Sequence, residues 1–295
     1  MFEGTYTALV TPFKNGEVDT PAFEALIERQ ISGKVDGLVP AGCTGEAATL
    51  TPEEQLELIK LCVEIVAGRV PVVAGTGSNS TREAVLLTSK ASKMNIQGAL
   101  VITPYYNKPT PSGLLSHYFE IAEKSRVPLI VYNVPGRTGT KITPQTLCEL
   151  ARHPNIRAVK EACGCVDQVS EILATLDDSL RNSFEVLSGD DALTLPMISV
   201  GAKGVISVAS NVAPAEVSAL VRCALDGDFA SATQAHLKLH PLFKGLFVET
   251  NPIPVKTMLA ELGLISKELR LPMEYGKDKT VQKMRELIHA FNLRS

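Results

Sequence analysis

One lysine is placed unlike most of the others. Lys160 closes the apolar run Ile156-Arg157-Ala158-Val159-Lys160, whereas most lysines lie in helical or turn segments. Side chains alternate along a strand, so Ile156, Ala158 and Lys160 share a face. By the same rule Pro128, Ile130 and Tyr132 share a face of the run Pro128-Leu129-Ile130-Val131-Tyr132. If both faces turn inward on neighbouring strands, an amine meets a phenol. Burial disfavours the charged amine and lowers its pKa, which a Schiff-base nucleophile requires. The phenol would then donate and accept the protons of carbinolamine formation and dehydration. A plainer reading pairs Lys160 with Glu161 at a rim and makes Tyr132 a core residue. Lys203 is the rival amine, but it precedes an expected strand and so belongs to the opposite end.

Two other features suit small anions. Gly42-Cys43-Thr44-Gly45 offers flexible backbone and free N–H groups ahead of a helix start at Thr51, which is either a carboxylate nest or an ordinary turn. Arg137, just after Pro135-Gly136, is a forked donor for a second carboxylate or one half of a surface ion pair. Metal chemistry is poorly supplied. Cys163 and Cys165 lack a two-residue gap and a second pair, and His236 and His240 lie one helical turn apart with no acid converging on them. In Gly75-Thr76-Gly77-Ser78-Asn79-Ser80 a serine stands where a dinucleotide fingerprint needs its third glycine, and no Walker A run exists.

The elements that must position these groups repeat. Thr20, Thr51, Thr81, Thr110 and Thr143 recur at spacings of 31, 30, 29 and 33 residues, and Pro follows four of the five. Thr before Pro reads as a helix cap followed by the first helical residue. Between these starts lie short branched apolar runs: Thr7–Val10, Gly37–Val39, Val70–Ala74, Ala99–Ile102, Pro128–Tyr132, Ile156–Lys160, Phe184–Leu187 and Gly204–Val208. Near-continuous hydrophobicity over four to six residues marks parallel strands covered on both faces. Eight strand-helix units predict an α/β fold, a (β/α)8 TIM barrel over residues 1–224, with a C-terminal helical domain over 225–295. In such barrels the active site lies where strands end, which is where Cys43, Tyr132, Arg137 and Lys160 fall.

Composition bounds the rest. The chain has 295 residues, 29 basic against 32 acidic, and a net charge of −3. A mixed, near-neutral surface argues against a nucleic-acid or membrane-surface binder. Trp is absent, and no stretch is long and apolar enough to span a bilayer. The start Met1-Phe2-Glu3-Gly4 lacks the features of a secretory leader, so Asn79-Ser80-Thr81 reads as a chance sequon and the six cysteines as reduced.

Several motifs in order resemble one family over essentially the whole length. They are Thr44-Gly45-Glu46, Thr103-Pro104-Tyr105-Tyr106-Asn107, Tyr132-Asn133-Val134-Pro135-Gly136-Arg137-Thr138, Val159-Lys160-Glu161 and Asn251-Pro252-Ile253-Pro254-Val255-Lys256. The chain resembles the pyruvate-dependent class I aldolases that include dihydrodipicolinate synthase (4-hydroxy-tetrahydrodipicolinate synthase) and N-acetylneuraminate lyase. The resemblance implies a lyase that condenses pyruvate with L-aspartate 4-semialdehyde on the way to lysine and diaminopimelate, with no metal or organic cofactor. It implies Lys160 as the imine-forming residue, a proton relay through Tyr132, Tyr106 and position 43, and Thr44, Arg137, Gly189 and Ile206 as substrate-binding positions. Tyr106 would reach in from a neighbouring subunit of a cytoplasmic homotetramer, a dimer of dimers. Ala48, Asn79, Glu83 and Tyr105 would form a lysine effector site, although Pro52 and Gln55 depart from that pattern. Position 43 also departs: the family usually has Thr, and here it is Cys43, whose thiol is a weaker donor and acceptor. Another aldolase of the same scaffold, acting on a sugar acid or other aldehyde, is the alternative.

Overall fold

A computed structural model describes residues 1–294. Eight parallel strands form the centre: β1 Gly4–Ala8, β2 Gly37–Val39, β3 Val73–Gly75, β4 Gly98–Ile102, β5 Leu129–Asn133, β6 Ile156–Glu161, β7 Glu185–Ser188 and β8 Gly204–Ser207. Their ladder runs β2-β1-β8-β7-β6-β5-β4-β3. A parallel bridge from Leu38 to Val72 joins its two ends, so the sheet closes as a barrel. Each strand is followed by a helix: α1 Thr20–Ser32, α2 Pro52–Val66, α3 Thr81–Ala91, α4 Pro111–Lys124, α5 Pro144–Ala151, α6 Val166–Thr175, α7 Thr194–Ser199 and α8 Pro214–Leu225. Three more follow: α9 Phe229–Gly245, α10 Ile253–Glu261 and α11 Asp278–Ala290.

The first strand lies earlier than the apolar run Thr7–Val10 predicts. Gly4 to Thr7 pair in register with Gly204 to Ser207. Hydrophobicity alone misses Gly4, Thr5 and Tyr6, whose burial comes from this pairing. The repeat's threonines also divide. Thr51, Thr110 and Thr143 cap their helices, and Thr51 forms a full capping box with Glu54. Thr20 and Thr81 are instead the first helical residues, and Asp19 and Ser80 cap those helices through their side-chain oxygens. Each stands one position earlier and carries its own acceptor, so the cap moves back by one residue.

Inside the barrel, Tyr6, Val39, Val73, Leu100, Ile130, Tyr132, Ala158, Leu187 and Ile206 pack as one apolar cluster. The alternation is therefore the expected one for Ile130 and Tyr132 on β5 and for Ala158 and Lys160 on β6, but Ile156 packs instead in the outer cluster with Leu129, where the register between the two strands shifts. The C-terminal helices share an apolar cluster with the barrel, in which Leu239, Leu242, Met258 and Leu287 pack with Leu26, Val212 and Val217.

A second tie is ionic. Lys256 on α10 donates to Glu46, and both side chains are 1% exposed. Glu46 stands in a left-handed conformation (φ 55°) in the loop after β2 and also accepts the Arg270 N–H at 3.1 Å. The Lys256 ammonium and the Arg270 guanidinium both lie over the Phe13 ring, at 4.5 and 4.6 Å from its centroid. Removing one member of a buried pair strands the other charge, at a cost of about 3–5 kcal/mol. Lys256→Met is therefore expected to lower the unfolding free energy, read from denaturant titration, by that much, and adding Glu46→Gln to recover part of the loss.

Candidate functional site

The mouth of the barrel is built on β5 and β6. Tyr132 and Lys160 are direct partners in their ladder. Both side chains face inward, and the Lys160 Nζ lies 4.2 Å from the centroid of the Tyr132 ring. Lys160 is 4% exposed and Tyr132 7%. Thr103, just past β4, fixes the end of β5: its Oγ1 donates to the Tyr132 carbonyl at 2.7 Å.

Glu161 does not pair with Lys160. Alternation turns it to the outer face, where its carboxylate accepts from Asn133 Nδ2 at 2.9 and 3.1 Å, Gln168 Nε2 at 2.9 Å and the Cys163 N–H at 2.9 Å. The rim ion pair that the sequence also allowed is thus absent, and among the described residues no salt bridge engages Lys160. Burial pulls the amine down from 10.5 to about 8; the electrostatic influence of Cys43 and Asp191 opposes that pull, and Arg137 adds to it. Burial, reinforced by the electrostatic influence of Cys43, pushes the Tyr132 phenol well above its ordinary range, so it stays protonated. Lys203, the rival, lies at the opposite end, where its backbone pairs with Gly4 and Val186.

Gly189, after β7, shows how tightly the amine is enclosed. A Cβ there would stand 3.0 Å from Lys160 Cε and 2.7 Å from the Ala162 Cβ. Ile206 on β8 is buried in the inner cluster. In the loop after β2, Glu46 N donates to the Cys43 carbonyl and Ala47 N to the Gly42 carbonyl, while among the described residues the Cys43 and Thr44 N–H groups meet no acceptor within the chain. Those two donors are what a carboxylate nest needs. Arg137 sits exposed in the short helical turn Pro135–Thr138, and its Nη2 donates to the Asn251 carbonyl at 2.9 Å.

A cavity of about 310 Å³ is lined by Cys43, Tyr132 and Arg137 among others. The same cavity is lined by Ala48, Glu83 and Tyr105, together with Pro52 and Gln55. Asn79 joins them through its Nδ2, which donates to the Tyr105 carbonyl at 3.2 Å. Tyr106 is not brought in: it is 90% exposed, in a left-handed conformation (φ 74°), and is not among the cavity's lining residues.

Two residues gained weight only in three dimensions. Asp191, fully enclosed after β7, accepts from the Ser207 hydroxyl at 2.5 Å and from the Val208 and Ala209 N–H groups at 3.0 Å, which fixes the end of β8, and its charge is felt at Lys160. Its sequence signal was the pair of acids ending an apolar strand. Asn251 reaches both Thr44 and Arg137 from 207 and 114 residues away, a link no local pattern carries. No group of three or more described His, Cys, Asp or Glu residues could hold a metal, and the His236 ring lies against those of His240 and Phe243.

This fold and this buried amine define the class, a (β/α)8 lyase of the class I aldolase type. The family model of the Dihydrodipicolinate synthetase family matches residues 1–291, and the chain belongs to that family. It is 51% identical over 290 residues to the 4-hydroxy-tetrahydrodipicolinate synthase of Nitratidesulfovibrio vulgaris strain Miyazaki F, covering 98% of each chain. It superposes on the crystal structure of dihydrodipicolinate synthase from Aquifex aeolicus with a TM-score of 0.96, 49% identity and 99% coverage of each chain. A dihydrodipicolinate synthase from Acinetobacter baumannii, solved in complex with pyruvate, superposes with a TM-score of 0.96 at 40% identity, covering 99% of this chain and 100% of that one.

Only the neutral amine attacks a carbonyl. The rate of imine formation with an α-keto acid is therefore expected to rise about tenfold per pH unit up to about pH 8 and to level off above it. Stopped-flow or rapid-quench trapping across pH 6 to 10 checks this; an ordinary lysine would keep rising toward pH 10.

Proposed function

We propose that this chain condenses pyruvate with L-aspartate 4-semialdehyde to give 4-hydroxy-tetrahydrodipicolinate, a step toward lysine and diaminopimelate. The carrying observation is the Lys160 amine, enclosed beside Tyr132 at the barrel mouth without a carboxylate partner. The amine adds to C2 of pyruvate, and the carbinolamine loses water to form an imine. Loss of a C3 proton gives an enamine, and its C3 bonds to the aldehyde carbon while the aldehyde oxygen takes a proton. The amino group of the semialdehyde then attacks C2 and releases Lys160. The imine is itself the electron sink, so the reaction needs neither metal nor organic cofactor.

Tyr132, Cys43 and Tyr106 serve as the proton relay. The Thr44 turn, with Gly189 and Ile206, holds pyruvate, and Arg137 takes the carboxylate of the semialdehyde. The exposed Tyr106 fits a role in a neighbouring subunit's site, which needs at least a dimer, and the family resemblance extends this to a homotetramer, a dimer of dimers, in the cytoplasm. Residues 1–224 form the catalytic barrel and the described residues from 225 onward a helical domain, the last residue of the expected span 225–295, Ser295, lying outside the described residues. Ala48, Asn79, Glu83 and Tyr105 form a site for lysine as effector, in the same cavity. Cys43 is the one feature that favours a second reading, an aldolase for another aldehyde or a sugar acid.

A coupled assay separates these readings. Turnover with pyruvate and L-aspartate 4-semialdehyde is expected, with none in Lys160→Ala. Cys43→Thr is expected to preserve or raise that turnover. A wild-type protein inactive with this aldehyde but active with others would favour the second reading.

A further inference from the structure

Asn251 lies just ahead of α10 and is 5% exposed. It touches both anion-binding features of the mouth through different atoms. Its side-chain Nδ2 donates to Thr44 Oγ1 at 3.0 Å, and its backbone carbonyl accepts from Arg137 Nη2 at 2.9 Å. Its own Oδ1 is buried and makes no hydrogen bond among the described residues. A hydroxyl has one proton to give and two lone pairs to offer. The amide N–H occupies one lone pair and cannot accept, so the Thr44 proton must point elsewhere. It finds no acceptor within the described chain, and it sits in the turn whose Cys43 and Thr44 N–H groups are also unengaged.

We infer that Asn251 is a positioning residue for the first substrate: its amide directs the Thr44 hydroxyl proton toward the keto-acid carboxylate. Three donors of one turn, two N–H groups and one O–H, then converge on one anion. The inference rests on the pyruvate reading above. The same segment holds the turn a second time through Lys256 and Glu46, so the turn stays in place when only the amide is changed.

Asn251→Asp reverses the hydroxyl. An ionised aspartate accepts the Thr44 proton and removes it from the substrate. At pH 8 the KM for pyruvate is expected to rise about 10- to 100-fold, the range for a hydrogen bond to a charged group, with kcat within about twofold. The KM for L-aspartate 4-semialdehyde should hold, because Arg137 is anchored by backbone. Protonation restores a donor at this position, so the pyruvate defect should shrink as pH falls. In a Thr44→Ala background, Asn251→Asp should add less than about twofold. The same fold-change in that background would mean a general charge effect and would overturn the inference. So would an unchanged KM, which means that the amide faces the other way and already accepts the proton. Should the aspartate variant fail to fold, Asn251→Ala serves. Its smaller rise in pyruvate KM must likewise vanish with Thr44→Ala, and additive effects would overturn the inference. If the wild-type protein forms no borohydride-trapped pyruvate adduct, the pyruvate reading and the inference fall together. If the adduct forms and the variants bind pyruvate normally, the inference alone falls.

Discussion

Taking an ammonium out of water without a counter-ion costs several kcal/mol, so a protein that buries an amine must neutralise it, pair it or employ it. Lys160 is enclosed by β5, β6 and Gly189, and the adjacent acid, Glu161, is committed to Asn133 and Gln168 on the far side of the sheet. The barrel leaves the amine the face of a phenol and no ion-pair partner, and its pKa falls to about 8 in response. Every other feature of the mouth serves that amine. Thr103 holds Tyr132 in place, Asp191 holds the end of β8, and Gly189 leaves room for the lysine stem.

The second requirement is to bring anions to that amine without surrounding it with positive charge, which would lower its pKa further. The molecule answers with backbone dipoles and one remote guanidinium. A nest made of N–H groups tolerates a neighbouring neutral amine, and Arg137 is kept at the rim by a carbonyl 114 residues away. The near-neutral surface follows from this economy: two small carboxylates need a few placed donors and no basic field. The cost is that the nest depends on the C-terminal segment, which reaches it through Asn251 and the buried Lys256–Glu46 pair.

Most of the frame was legible in the residues. Eight branched apolar runs and a repeat near 30 residues specify a barrel, because parallel strands covered on both faces read as continuous hydrophobicity. Alternation placed Lys160 and Tyr132 on one inward face, and the ladder pairs them as neighbours. Where local patterns erred, a competing group stood next door, as with Asp19 and Ser80 replacing Thr20 and Thr81 as caps. The choice between a paired and an unpaired Lys160 could not be read locally, since it depends on where Asn133 and Gln168 direct their amides. Asn251 was visible only as part of a proline-rich motif, because its contacts span most of the chain. Tyr106 remains outside its own chain's site, as an exposed aromatic on a left-handed turn.

The most direct measurement is borohydride reduction in the presence of pyruvate, followed by peptide mass spectrometry of the full chain. A pyruvate-derived secondary amine is expected on Lys160 and on no other lysine, with nothing trapped in Lys160→Ala. No adduct at all, or an adduct carried by Lys203 or a surface lysine, would contradict the assignment of the buried amine as the nucleophile.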